Sequence, residues 1–270
     1  MNQDMSILSL VLQASLVVQL VMALLLAGCG GGGDDVSLPS AAELCGSVGV
    51  QPKIANGSNC ASPEKTPVIL LVVVGAGGNS SICSGVLLTP VKVLTAAHCV
   101  PAGTSRVAAA VWRADGSVKA LNASGWVAHP GFAQSSSGYV NDAAVVTLPA
   151  AMPNPTMPLL VSQPSSVGDG VFLSGWGGPG FEFAVGYASL TMVNENHVGF
   201  TYTGKLSNAC AGDSGGPVYR PVGGRQGVVG LTSSGTAANC EVGDRSLFTN
   251  TQGASVLGFI RSQAPGAAEI

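Results

Sequence analysis

The amino-acid sequence predicts an all-β fold. Its 38 glycines and 16 prolines are spread along the chain, and between them Val, Ile and Thr recur in short runs, a pattern of strands punctuated by turns rather than of long helices. At 270 residues there is room for one large domain or for two small barrels sharing a core boundary. Charged residues make up only 9% of the chain and the formal net charge is −3, so no basic footprint for nucleic acid is visible and the composition argues against a DNA-binding role.

The N-terminal stretch from Ile7 to Ala27 is apolar, broken mainly by Gln13 and Gln19, and ends in Leu26-Ala27-Gly28-Cys29. That ending resembles a bacterial lipobox, which would make residues 1–28 a signal peptide and Cys29 a lipidated N-terminus. The alternative is an uncleaved membrane helix, which needs about 20 apolar residues. Either reading exports the chain and attaches it to a membrane, in the periplasm or at the cell surface; free secretion is the other outcome. Gly30 to Gly33, followed by Asp34 and Asp35, read as a solvated tether opening a segment, 29–53, that precedes the domain.

Pro67 to Val74 is a continuous apolar, β-favouring run followed by glycines at 75, 77 and 78, which predicts a buried strand and a hairpin. Ser84–Leu88 and Val91–Ala96 predict strands that lead to His98, and Ala143–Leu148 predicts a strand directly after Asp142. Pro149, Pro153, Pro155, Pro158 and Pro164 mark a connection. Strands resume at Val171–Leu173 and Gly227–Ser234, Gly253–Arg261 reads as a short closing helix, and 265–270 as a tail. His129 and His197 read as structural histidines.

Three strings carry chemistry: Thr95-Ala96-Ala97-His98-Cys99, Asn141-Asp142-Ala143-Ala144, and Cys210-Ala211-Gly212-Asp213-Ser214-Gly215-Gly216-Pro217-Val218. A serine hydroxyl is a weak nucleophile until a base and an orienting carboxylate are added. In these strings and in their order His98, Asp142, Ser214 the chain resembles the chymotrypsin/trypsin-like serine proteases. The resemblance implies two packed antiparallel six-stranded Greek-key barrels with a short C-terminal helix, in a protease domain at 54–264 with its first barrel at about 54–150 and its second at about 165–252. Ser174-Gly175-Trp176-Gly177 matches a family signature at the start of the second barrel. His98 would act as general base, Asp142 as its orienting carboxylate and Ser214 as nucleophile, with the backbone N–H groups of Gly212 and Ser214 forming the oxyanion hole. Ser233 stands where the family supplies a second partner to the aspartate, beside the substrate pocket.

Pro52-Lys53-Ile54-Ala55-Asn56-Gly57 resembles the family's zymogen activation site. A cut between Lys53 and Ile54 would free an amine that pairs with Asp213 and orders the oxyanion hole. The seven cysteines divide, on this resemblance, into Cys29 for lipid and the bridges Cys83–Cys99 and Cys210–Cys240, which leaves Cys45 and Cys60 to tie the pro-segment to the domain. Asn208 matches the pocket floor, with Gly235 and Ser246 on the walls, and Ser234 stands where the family usually has tryptophan. A neutral amide gives no full charge to balance a buried Lys or Arg, so the pocket is expected to admit a medium apolar or polar side chain. No metal or cofactor is implied; the expected partners are a polypeptide substrate, an activating protease and the membrane, with the chain itself a monomer. The rival readings are an inactive relative serving as a lipid-anchored binding protein, and an esterase using the same three residues.

Overall fold

The computed structural model describes residues 39–49, 60–61, 63–112, 117–177, 182–237 and 240–270. Cys29, Lys53 and Ile54 lie outside them, and so does the apolar run 7–27. Among the described residues, no helix is long and apolar enough to cross a membrane.

Among the described residues, sixteen strands form two curled antiparallel sheets and one hairpin. The first sheet contains β1 (Val68–Gly75), β2 (Ser80–Thr89), β3 (Lys92–Thr95), β4 (Thr104–Trp112), β5 (Val118–Asn122), β6 (Gly125–Ala128) and β9 (Ala144–Thr147), in the order β5-β4-β1-β2-β3-β9-β6. β7 (Ala133–Ser135) and β8 (Gly138–Val140) pair as the separate hairpin. The second sheet contains β10 (Gly170–Gly175), β11 (Ala184–Ser189), β12 (Met192–Val193), β13 (His197–Thr201), β14 (Pro217–Val222), β15 (Arg225–Ser234) and β16 (Arg245–Asn250), in the order β11-β10-β14-β15-β16-β13-β12. Each sheet has seven strands where six were expected, because short edge segments such as Met192–Val193 pair in register with a neighbour.

The apolar runs lack a polar face because both faces of the strands are covered. Side chains alternate across a strand, and in β1 Ile69, Leu71 and Val73 enter the core of the first half-barrel while Val68 and Leu70 enter a separate apolar cluster. β2 divides in the same way, with Leu87 inward and Val86 and Leu88 in the other cluster. The second sheet mirrors this: Val218 and Val229 fill its own core, whereas Tyr219 and Val228 join Val68, Leu70, Val86 and Leu88. The shared cluster is therefore the seam between the half-barrels, and it is sealed by Trp176 and by Val256, Phe259 and Ile260 of the closing helix Ala254–Gln263.

Two terminal segments are more ordered than their composition suggests. Ala41–Gly46 forms a short helix, which we label α1, making the closing helix α2; Ser40 and Glu43 cap α1 reciprocally at its N-terminus. Leu44, Cys45 and Val48 bury into the seam, the Cys45–Cys60 disulfide anchors the segment, and Ser47 Oγ lies 2.9 Å from Tyr219 OH. At the other end the tail doubles back on the connection, with Ile270 N–H donating to Leu159 O at 2.9 Å and Val161 N–H to Ile270 O at 2.8 Å. Arg261 holds Glu269 through two hydrogen bonds of 2.7 and 2.8 Å.

Candidate active site

The facing ends of the two half-barrels bring His98, Asp142 and the Ser214 loop to one cleft. His98 sits in a 3-10 turn, Ala97–Cys99, that ends β3, and the Cys83–Cys99 disulfide ties this turn to β2. Asp142 precedes β9 and follows Asn141, whose φ of 50° lies in the left-handed region that Asn tolerates well. Asn141 Nδ2 donates to Gly131 O at 3.1 Å, and Thr249 Oγ1 in β16 donates to Asp142 O at 3.0 Å, so both half-barrels grip the backbone here.

The Asp142 carboxylate is fully buried, and donors converge on it. Oδ1 accepts the His98 backbone N–H at 2.8 Å; Oδ2 lies 2.7 Å from His98 Nδ1 and accepts the Ser233 hydroxyl at 2.7 Å. A carboxylate at this spot can accept from Nδ1–H, which leaves Nε2 of a neutral ring unprotonated and facing the cleft. The His98 ring also stacks on Tyr139 of the β7–β8 hairpin, with centroids 5.3 Å apart and planes 19° apart. His197 Nε2, 2.6 Å from Tyr139 O, secures that hairpin from β13. His129 serves elsewhere: its Nδ1 accepts the Gly131 N–H at 3.0 Å and its ring packs on Phe259 of α2.

Ser214 is held by its backbone, its carbonyl accepting the Ser84 N–H at 2.8 Å. Its hydroxyl makes no hydrogen bond to His98 Nε2 among the described residues, so the structure pairs His98 with Asp142 but leaves the third contact open. Catalytic hydrogen bonds are commonly loose before substrate or a final ordering step arrives. Asp213 N–H donates to Cys210 O at 3.0 Å, whereas the N–H groups of Gly212 and Ser214 on either side of it donate to no acceptor among the described residues. Gly212 has a φ of +96°, and a Cβ there would come within 2.9 Å of Gly177 Cα. A side chain is thus excluded at Gly212.

Ser84, fully buried in β2, organises the loop from beneath: its hydroxyl donates to Gly212 O at 2.9 Å and accepts the Trp176 N–H at 2.9 Å. Nothing in the sequence distinguishes this serine from any other in a strand. The Asp213 carboxylate accepts from Gly177 N–H at 2.8 Å and Cys210 N–H at 2.9 Å. Burial pushes its carboxyl above the ordinary carboxylate range, against the pull of those two amides. It borders a cavity of about 110 Å³ whose other walls include Leu173, Ala184, Val185 and Asn208.

A second cavity, of about 210 Å³, opens beside Ser214 and is lined by Cys210, Gly235, Asp244 and Ser246, with the Cys210–Cys240 disulfide along one side. Asn208, which borders the first cavity, bonds to this lining, donating from Nδ2 to Asp244 Oδ2 at 2.9 Å and making a short contact with the Ser246 hydroxyl. Among the described residues, the one cluster of potential metal donors is Cys83, His98 and Cys99, and it does not suit a metal because both sulfurs are spent in a disulfide.

Comparison with known proteins gives the fold first. A solved structure of HL collagenase superposes with a TM-score of 0.63 over 78% of this chain and 99% of its own, at 21% identity, and shares the two half-barrels. The sequence gives the family: the trypsin family model matches residues 54–257. A chymotrypsin-like serine proteinase of Haliotis rufescens is 30% identical over 63% of this chain and 78% of its own length. Human kallikrein-12 is 28% identical over 70% and 82%, and brachyurin of Leptuca pugilator 29% over 62% and 81%. This chain belongs to the trypsin family of serine proteases. Its disulfides place the domain in an oxidising compartment, outside the cytosol.

Proposed function

We propose that this protein is a serine endopeptidase that cleaves peptide bonds by acyl transfer through Ser214, His98 and Asp142. The observation that carries the reading is the fully buried Asp142 carboxylate, fastened to both the backbone and the ring of His98 and capped by Ser233. With Nδ1–H held by Asp142, His98 Nε2 takes the Ser214 proton as Oγ bonds to the scissile carbonyl carbon, and the carbonyl π pair moves onto oxygen. The free N–H groups of Gly212 and Ser214 receive that oxyanion, each contributing about 2.7–4 kcal/mol in comparable sites. Collapse breaks the C–N bond, the amine leaves with the proton from Nε2, and water repeats the sequence to release the acid.

The intact chain is read as a zymogen. A cut after Lys53 frees the Ile54 amine, and the cavity beside Asp213, walled by apolar and polar side chains alike, offers it a buried carboxylate. Losing one partner of such a buried pair typically costs about 3–5 kcal/mol, enough to leave the uncut form weakly active. α1 and the Cys45–Cys60 disulfide keep the pro-segment attached after the cut. Lipidation at Cys29 would hold this monomer at the cell envelope, facing polypeptide substrates and an activating protease.

The test is a peptide-library digest with N-terminal sequencing of the active form. Endoproteolytic cleavage by a species beginning at Ile54 supports the proposal; hydrolysis of esters without peptide cleavage favours the esterase, and full activity of an uncut Lys53→Gln chain removes the zymogen step.

A further inference from the structure

The loop that contains Gly212 and Ser214 is gripped from the other half-barrel by one fully buried residue, Ser84 of β2. The Ser84 N–H donates to Ser214 O at 2.8 Å, and its carbonyl accepts the Thr95 hydroxyl at 2.7 Å. Its hydroxyl donates to Gly212 O and accepts the Trp176 N–H, both at 2.9 Å. Ser84 therefore bonds the nucleophile loop on both sides of Asp213 and, through Thr95, ties it to the string that ends in His98 and Cys99. Gly215 permits the close approach, since a Cβ there would collide with Thr95 Oγ1 and Ser84 O.

The direction of the Ser84 hydroxyl is fixed by its partners. A hydroxyl has one hydrogen to give. The Trp176 N–H can only donate, so a lone pair of Oγ faces it and the hydrogen goes to Gly212 O. The Gly212–Asp213 peptide is then held at both ends, its carbonyl by Ser84 and its N–H by Cys210 O at 3.0 Å. That peptide lies between the two N–H groups assigned to the oxyanion, those of Gly212 and Ser214, so turning it changes the torsions that aim both. Gly212, at a φ of +96°, has no side chain to resist the turn.

We propose that Ser84 is a positioning residue for the oxyanion hole: its hydroxyl holds the Gly212–Asp213 peptide in the orientation that aims the Gly212 and Ser214 N–H groups at the developing charge. Ser84 acts through these groups without touching substrate. The oxyanion exists only along the reaction path, so the hydroxyl contributes to kcat rather than to substrate binding. This inference rests on the endopeptidase reading.

Processed Ser84→Ala is compared with wild type on a peptide that wild type cleaves, with competent sites counted by exhaustive fluorophosphonate labelling so that rates refer to folded enzyme. Its kcat is expected to fall about 10- to 100-fold, at or below the loss of one oxyanion donor, while KM stays within about 2-fold. A peptidyl trifluoromethyl ketone adds a readout: Ser214 Oγ bonds to its carbonyl carbon, the proton passes to His98 Nε2 and the oxygen takes the charge. Its affinity should fall by the same factor as kcat, whereas an unreactive amide of the same peptide binds unchanged, and the pH midpoint of kcat/KM stays put because the His98–Asp142 pair is untouched. Ser84→Gly is the second variant; it leaves room for a water between the Trp176 N–H and Gly212 O that spares the fold, and an untethered water holds the peptide less firmly, so kcat falls in the same sense. Residue-level amide exchange of processed wild type needs no variant and should find the Asp213 N–H protected. A folded variant whose kcat stays within about 2-fold of wild type, whose ketone and amide weaken together, or whose pH midpoint moves overturns the role of Ser84 and leaves the endopeptidase standing, as does exchange at Asp213 as fast as in an open loop. Absence of both label and cleavage in wild type overturns the two together.

Discussion

Replacing Asp142 with asparagine tests how the cleft works with little change of shape. The carboxylate receives three donors: the His98 backbone N–H, His98 Nδ1–H and the Ser233 hydroxyl. An amide has one acceptor oxygen and two hydrogens. If its nitrogen takes the place of Oδ2, it faces Nδ1 as a donor, drives the proton to Nε2 and leaves His98 unable to accept from Ser214. If it takes the place of Oδ1, it meets the backbone N–H donor to donor. The first arrangement is cheaper, because Nδ1 and the hydroxyl can both turn acceptor while a backbone amide cannot. The expected result is a loss in kcat of about 10⁴-fold, as the same exchange gives in a Ser-His-Asp triad. Each decade is about 1.36 kcal/mol of barrier, so the tautomer accounts for about 5.4 kcal/mol. Stopped-flow or initial-rate kinetics on the processed enzyme give the rate, and urea unfolding checks that the fold survives. A loss below about 10-fold in a folded variant would refute the argument, since His98 would then be working without the carboxylate.

Other perturbations reach the surrounding structure. Ser84→Ala leaves Gly212 O and the Trp176 N–H without their shared partner; it should cost about 1–3 kcal/mol in urea unfolding, and an unchanged midpoint would deny Ser84 its organising role. Burial raises the Asp213 carboxyl in the uncut chain from its ordinary 3.8, so native protein holds that proton more tightly than unfolded protein does. The contribution is fully present below pH 3.8 and lost as pH rises through the raised native value. Asp213→Asn should therefore gain on wild type in unfolding midpoint as pH rises across that window, and parallel profiles would contradict the shift. Cys45→Ser opens a bridge with a sequence separation of 15, which should cost about 3 kcal/mol and let the pro-segment leave on a non-reducing gel once the chain is cut.

The sequence announces chemistry better than it announces geometry. His98, Asp142 and the Ser214 loop stand out because each lies in a distinctive string, yet which of them touch is a three-dimensional matter; the structure bonds His98 to Asp142 and brings Ser214 near without a hydrogen bond from its hydroxyl to His98. The run Val68–Val74 reads correctly as buried, but no periodicity reveals that its alternate residues serve two different clusters. α1 was legible in principle, since Ser40 and Glu43 have capping-box spacing, but six residues of helix are hidden in a segment that otherwise looks like linker. Tyr139 and Ser84 carried no signal because each acts through a partner distant in sequence.

The most direct measurement is fluorophosphonate labelling of the processed protein with the modified peptide mapped by mass spectrometry. The account predicts one label, on Ser214, that disappears in Ser214→Ala and forms far more slowly in Asp142→Asn. Folded, processed wild type that takes no label, or takes it at another serine, would contradict it.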